Sequence, residues 1–256
     1  MCDIKVLEDG AIRRSFLALL ALVLAGVLLA VWSGPADTAA TFAVNRTGDA
    51  PDRKLSDDAC DTSRQNGKQC TLRAAIQEAN GTLGPDTINF NIGGTASVKT
   101  ISPTSPLPVI TEALTVNGYS QPGARANTLA EGNNAVLKIQ LSGANAGRGA
   151  NGLQISAAES TIKGLVISRF RNGIRVAGTG ATGNSIVGNF IGTDTSGTAR
   201  RGNAYGVRIA GGPPPTRWEA PNPRPGTSSP ATATARRAAD MASASPPQAT
   251  SSRATT

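Results

Sequence analysis

Asn151-Gly152-Leu153-Gln154-Ile155-Ser156 returns as Asn172-Gly173-Ile174-Arg175-Val176-Ala177, and again as Tyr205-Gly206-Val207-Arg208-Ile209-Ala210. A second phrase is interleaved with the first: Ser160-Thr161-Ile162-Lys163-Gly164-Leu165-Val166-Ile167 is followed by Asn184-Ser185-Ile186-Val187-Gly188-Asn189-Phe190-Ile191. Each phrase comes back after roughly two dozen residues, within the range of solenoid repeats. Each alternates apolar and polar residues, is punctuated by Asn-Gly or Gly, and has no helical pattern between copies. The expected fold is therefore all-β: a right-handed parallel β-helix (solenoid) with a short N-terminal, helix-containing cap. Inward Ile, Val and Leu of successive rungs would form one apolar column. Asn151 and Asn172 are expected to form a ladder at the tight turn, where Asn tolerates left-handed backbone and its amide bonds the rungs above and below. An Asn-Gly hairpin is the competing reading, but hairpins do not give interleaved repeats at this spacing.

Outward from the repeats, further strands are expected at residues 88–92, 98–101, 114–116 and 136–141, and rungs are assigned to residues 95–212. Residues 41–44 read as a short apolar strand. Residues 72–80 read as a helix, because Leu72, Ala75, Ile76 and Ala79 fall at i, i+3, i+4 and i+7 and Asn80-Gly81 supplies a stop. An open solenoid end exposes apolar side chains and unpaired edges, so residues 41–94 are expected to cap it.

The first forty residues have a different character. Seventeen residues from Phe16 to Trp32 form an apolar run behind Arg13-Arg14, and small residues follow to Ala40. This is the layout of a secretory signal, residues 1–40, and an uncleaved anchor is the alternative. Arg13-Arg14-Ser15-Phe16-Leu17 also resembles the twin-arginine signal, so the route is general secretory or twin-arginine. The expected location is secreted or cell-surface, with membrane contact only through this signal. Cys60 and Cys70 then form an even pair in an oxidising compartment, and a disulfide is expected. A metal or catalytic role is the other reading, but the chain has no histidine to complete a zinc site or activate a thiol.

Cys70-Thr71-Leu72-Arg73-Ala74-Ala75, with Asp86-Thr87-Ile88-Asn89-Phe90 downstream, resembles the CSLREA domain found at the N-terminus of bacterial secreted proteins. The resemblance continues through Leu114-Thr115-Val116-Asn117-Gly118-Tyr119-Ser120-Gln121-Pro122-Gly123-Ala124 and covers roughly residues 41–212. Ala74 stands where the motif usually has Glu. The resemblance implies similarity to right-handed parallel β-helix, pectin-lyase-like proteins, most of which have no established activity.

The net charge is +8, yet the chain has only two Tyr and two Trp, so no basic-aromatic face for nucleic acid is expected. Arg169, Arg171, Arg175 and Arg208 are the candidate polyanion face, suited to an acidic polysaccharide or a cell-envelope component. A solvated sheet face is the plainer reading of the same residues. Asp49, Asp52, Asp57, Asp58 and Asp61 cluster in one loop and admit Ca²⁺, but they fit no EF-hand and Arg53 and Lys54 sit among them. No metal site is assigned, no cofactor is required, and no feature sets an oligomeric state.

Two functions follow. The first is an exported, non-catalytic scaffold for adhesion, matrix attachment or carbohydrate binding, with no catalytic residue assigned. The second is a truncated polysaccharide lyase or hydrolase, which needs paired carboxylates or a Ca²⁺-carboxylate cluster with a base. From Asp86 to Gly212 the carboxylates are Asp86, Glu112, Glu131, Glu159 and Asp194, and none forms a local pair. Rungs can still unite distant residues, with Glu159 and Asp194 converging beside Arg169 or Arg175.

Residues 213–256 are rich in Ala, Pro, Ser, Thr and Arg without apolar periodicity, the composition of disorder. A second reading is a shifted frame. Read one nucleotide earlier with GC-rich codons, the stretch can spell NTVGGAEPEARNVISGN and GYGVGIAAAGNLVEGNY, echoing Tyr205-Gly206-Val207 and Gly188-Asn189-Phe190. On that reading the chain is a truncated solenoid without its C-terminal rungs.

Overall fold

The computed structural model describes residues 38–65, 67–94, 97–211 and 217–219. The expected signal, apart from residues 38–40, and most of the expected tail lie outside them. Among the described residues strand predominates over helix, as in a mainly-β fold. Its elements are β1 (Thr41–Val44), α1 (Leu72–Ala79), β2 (Asp86–Phe90), β3 (Lys99–Ile101), β4 (Leu114–Asn117), β5 (Ile139–Ser142) and β6 (Asn151–Ile155). There follow β7 (Thr161–Lys163), β8 (Leu165–Ser168), β9 (Asn172–Ala177), β10 (Ser185–Val187), β11 (Phe190–Ile191), β12 (Tyr205–Ala210) and β13 (Arg217–Glu219).

The strands form three sheets, and every strand pairing within them is parallel. The first has the order β1-β2-β4-β7-β10-β13, the second β11-β8-β5-β3 and the third β12-β9-β6, and none closes on itself. From β4 onward the chain visits the three sheets in fixed order, three times over, before β13 rejoins the first. Three residues inside the segment expected to be disordered thus form a strand, Arg217–Glu219, paired with β10.

Register explains the core. Phe42, Ile88, Val116, Ile162 and Ile186 occupy one row of the first sheet and are all buried. Ile101, Leu141, Ile167 and Ile191 form the matching row of the second. Leu153, Ile174 and Val207 form that of the third. Fully burying one such side chain contributes about 1.5–3 kcal/mol, so alternation sets which face turns inward in the first sheet, whereas β8 is buried along its whole length, with Val166 packed beside Leu137 and Phe190.

The Gly of the Asn-Gly phrase has a steric reason. A Cβ on Gly152 would lie 2.4 Å from the Gly173 carbonyl oxygen, and one on Gly173 would lie 2.6 Å from that of Gly206. Each pass of backbone occupies the space where its neighbour's side chain would be.

Two strands of the segment expected to be the N-terminal cap belong to the first sheet. β1 pairs with β2 and β2 with β4, in register, so the first sheet runs without a break from residues 41–44 to residues 114–117. α1 packs on β1 and β2 through Leu72, Ala75, Ile76 and Ala79, the expected stripe, and Ala74 is buried as well. Cys60 and Cys70 form the disulfide, with Cα atoms 5.1 Å apart. The expected helix ends one residue early, at Ala79, because Asn80 serves as its C-terminal cap.

Gly173→Ala is expected to lower stability by about 1–3 kcal/mol, the cost of overpacking. Gly180→Ala, where a Cβ meets nothing within 4 Å, is the control. Thermal melts of the two variants check it, and equal midpoints would show that the passes do not approach as described.

Candidate functional site

The four expected arginines fall on one side of the molecule. Arg175 in β9 is the register partner of Gln154 in β6 and of Arg208 in β12, making an outward row across the third sheet. Gln154 Oε1 accepts from Arg175 Nη1 (3.3 Å) and from Asn151 Nδ2 (2.9 Å), which positions Arg175. The Arg208 guanidinium lies 5.5 Å from the Tyr205 ring centroid. Arg169 and Arg171 are exposed on the corner before β9, flanking Phe170, whose ring turns inside. The ion pairs among the described residues are Lys54–Asp57 and Arg73–Asp49, so no carboxylate neutralises any of the four.

Asn151 and Asn172 do stack: Asn172 Nδ2 donates to Asn151 Oδ1 at 2.6 Å. The conformational reason differs from expectation. Neither residue is left-handed; they open β6 and β9, whereas Glu159 (φ 54°) and Arg169 (φ 66°) carry positive φ nearby. The ladder stops after two rungs because Tyr205 follows Asn172 in register, and the buried Asn172 Oδ1 has no partner among the described residues. Two further pairs behave alike. Asn117 Nδ2 donates to Asn89 Oδ1 (3.2 Å) and Asn117 Oδ1 is left over, with Lys163 next in register. Ser142 and Ser168 are register partners, and the Ser168 hydroxyl is also unpartnered.

A stronger set of asparagines lies outside the Asn-Gly phrase. Asn184 accepts from Ser160 N–H (2.8 Å) and donates to Ala157 O (3.0 Å). Asn189 accepts from Leu165 N–H (2.9 Å) and donates to Ile162 O (2.8 Å). Asn203 accepts from Phe170 N–H (2.9 Å) and donates to Ile167 O (3.0 Å). Each amide clamps a carbonyl and the N–H three residues later, supplying the bonds that a bend in the preceding pass would otherwise lack. The signal was the dipeptide Gly-Asn, which recurs at Gly183-Asn184, Gly188-Asn189 and Gly202-Asn203.

The residues of the N-terminal motif hold the lid. Thr71 Oγ1 accepts from Ala74 N–H (3.1 Å) as N-cap and donates to Ala50 O (2.6 Å). Arg73 bonds both carboxylate oxygens of Asp49 at 2.9 Å and reaches Ser105 O (3.0 Å) and Pro106 O (2.9 Å), tying helix to loop. Leu72, Ala74 and Ala75 are in the core. Burial pushes the Asp49 carboxyl upward, but the hydrogen bonds from Arg73 and Thr104, with the guanidinium charge, outweigh it and hold the group below its ordinary value.

The expected acid-base candidates do not converge. Asp86 is buried and accepts from Ala40 N–H (2.7 Å) and from the Thr82 hydroxyl. Asp194 accepts hydrogen bonds within its own loop, chiefly from the Ser196 hydroxyl (2.6 Å), which lowers its pKa. Glu159 sits at the other end of its pass, before β7, where its N–H donates to Thr182 O. In the aspartate loop, Asp52 accepts from Lys54 N–H and Asp61 N–H at 2.8 Å, and Asp61 from Ser63 N–H at 3.1 Å. Among the described residues no group of three or more His, Cys, Asp or Glu is placed to hold a metal ion. No helix among them is long and apolar enough to cross a membrane.

Comparison of the chain with models of protein families, with curated proteins and with solved structures finds no match in any of the three.

Tyr205→Asn is expected to extend the ladder and satisfy Asn172 Oδ1, raising stability by about 1 kcal/mol, the net value of one hydrogen bond. Urea midpoints measure this, and a loss would show that Asn172 is already satisfied. The Asp49 carboxyl, depressed in the folded chain, contributes stability that is complete above its unfolded pKa and lost as pH falls through the folded one. Asp49→Asn should therefore flatten the fall in melting temperature below about pH 4; an unchanged acid limb would contradict that role.

Proposed function

We propose that the chain is an exported, non-catalytic right-handed parallel β-helix with a CSLREA-type lid, acting at the cell surface or outside the cell as a scaffold that binds acidic carbohydrate. The observation that carries this reading is the outward row Gln154–Arg175–Arg208 with Arg169 and Arg171 beside it, cationic and without carboxylate partners among the described residues. The coil is supported by the fixed order of sheets in each pass and by parallel pairing throughout the sheets. A parallel crossover of this kind is right-handed in nearly all proteins. Export is supported by the apolar segment behind Arg13-Arg14 and by the disulfide, which persists in oxidising compartments. The non-catalytic reading is supported by the placement of Glu159 before β7 and Asp194 between β11 and β12, and by the engagement of Asp194 and Asp86 with their own surroundings.

Polygalacturonate is the probe. The protein is expected to co-sediment with it, less so as salt rises, and to release no unsaturated sugar in the presence of Ca²⁺. Ultraviolet absorbance from unsaturated product would replace this function with a lyase, and failure to co-sediment at low salt would remove the binding role.

A further inference from the structure

The segments joining β5 to β6, β8 to β9 and β11 to β12 are residues 143–150, 169–171 and 192–204. Because β5, β8 and β11 are neighbours in the second sheet and β6, β9 and β12 in the third, these segments stack along one corner. Backbone bonds join them: Arg171 N–H donates to Ala150 O (2.9 Å), Ala204 N–H to Phe170 O (3.0 Å) and Tyr205 N–H to Arg171 O (2.7 Å). The corner carries Arg148, Arg169, Arg171, Arg200 and Arg201, all exposed. Its one acidic residue is Asp194, whose Oδ1 accepts from Ser196 N–H (3.1 Å) and hydroxyl (2.6 Å) and from Thr198 and Ala199 N–H (both 3.3 Å).

These five guanidinium groups have neither a hydrogen bond nor an ion pair among the described residues. Arg73 shows the contrast: it is bonded to Asp49, Ser105 and Pro106 and shielded in the lid. On the sheet face, Arg175 is half-buried and committed to Gln154, and Arg208 lies over Tyr205. Among the described residues, the corner therefore holds more uncommitted arginine charge than the sheet face does.

We propose that this corner is the docking site of a linear anionic glycan, laid along the stack so that successive carboxylates meet arginines of successive passes. The inference rests on the acidic-carbohydrate reading above and moves the principal contact from the sheet face to the corner. Paired strands lie about 4.8 Å apart, so three stacked corners offer cations over a span of about 10 Å along the axis. Guanidinium forks match carboxylates in geometry as well as charge. Single-stranded nucleic acid, the other linear polyanion, binds through aromatic platforms on which bases stack. The corner has none, since Phe170 is turned inside and Tyr205 is already covered by Arg208.

The test compares the parent chain with three variants for binding labelled polygalacturonate at low salt. They are R148Q/R171Q/R200Q/R201Q, the same four positions changed to Lys, and R175Q/R208Q; Arg169 is kept because of its positive φ. The four-site Gln variant is expected to bind about tenfold or more weakly, because each exposed ion pair contributes a factor of a few. The Lys variant, which retains the charge and exposes any folding artefact, should lose only part of that, and R175Q/R208Q should lose less than the Gln variant. Melting temperatures of the two four-site variants should match the parent's. Parent-like binding by the four-site Gln variant overturns the corner; if R175Q/R208Q then loses binding, the sheet-face reading survives alone. No binding by the parent removes both readings. Tighter binding to poly(dT) than to polygalacturonate at the same ionic strength overturns the glycan.

Discussion

Each pass of this chain must lie against the next at the distance of two hydrogen-bonded parallel strands. At that distance no side chain fits where one backbone crosses directly over another, and any polar group on a bend must find its partner in the neighbouring pass. Gly152 and Gly173 answer the first demand, each placed under the carbonyl of the next glycine in its column. Asn184, Asn189 and Asn203 answer the second, each amide bonding one carbonyl and one N–H of the pass before it. The apolar rows could be filled by many combinations of Ile, Leu and Val; the glycines and clamping asparagines have far fewer substitutes.

The same constraint accounts for the flaws. Like-on-like stacking is favourable only while the same residue recurs, and three rows here repeat just twice. Asn172, Asn117 and Ser168 each end such a row with a buried polar atom that has no partner among the described residues. All three belong to the later member of their pair, so the deficits face the pass where the repeat changes its residue. The lid is built differently. There Arg73 and Asp49 form a shielded ion pair extended by Thr104 and Ser105, and Glu78 is fully buried while accepting from Ser56 N–H at 2.8 Å. Burial raises the Glu78 pKa above its ordinary value. Polar side chains there organise loops that have no repeat to lean on.

The surface follows from the interior. Once hydrophobic alternation turns one side of a strand inward, residues 21 or more positions apart become neighbours on the outside. Gln154, Arg175 and Arg208 are three such residues, and the corner arginines from 148 to 201 are a longer series. Their charges reinforce one another because the single carboxylate on that corner is turned into its own loop.

The strands of the repeats in residues 151–210, the helix starting at Leu72 and the pairing of Cys60 with Cys70 were all legible in the sequence, since in each case a local pattern favoured one reading over its alternative. Alternation with glycine punctuation demands half-buried strands, and an i, i+3, i+4, i+7 stripe demands a helix face. Two things were decided only in three dimensions. The N-terminal segment shares its first sheet with the later strands, because Thr87 and Ile88 pair with both Thr41-Phe42 and Thr115-Val116. The carboxylates that sequence spacing left free to converge are separated, because Glu159 and Asp194 sit at different corners of the fold. Register between distant strands sets both outcomes, and register is a property of the assembled stack, which no single segment carries.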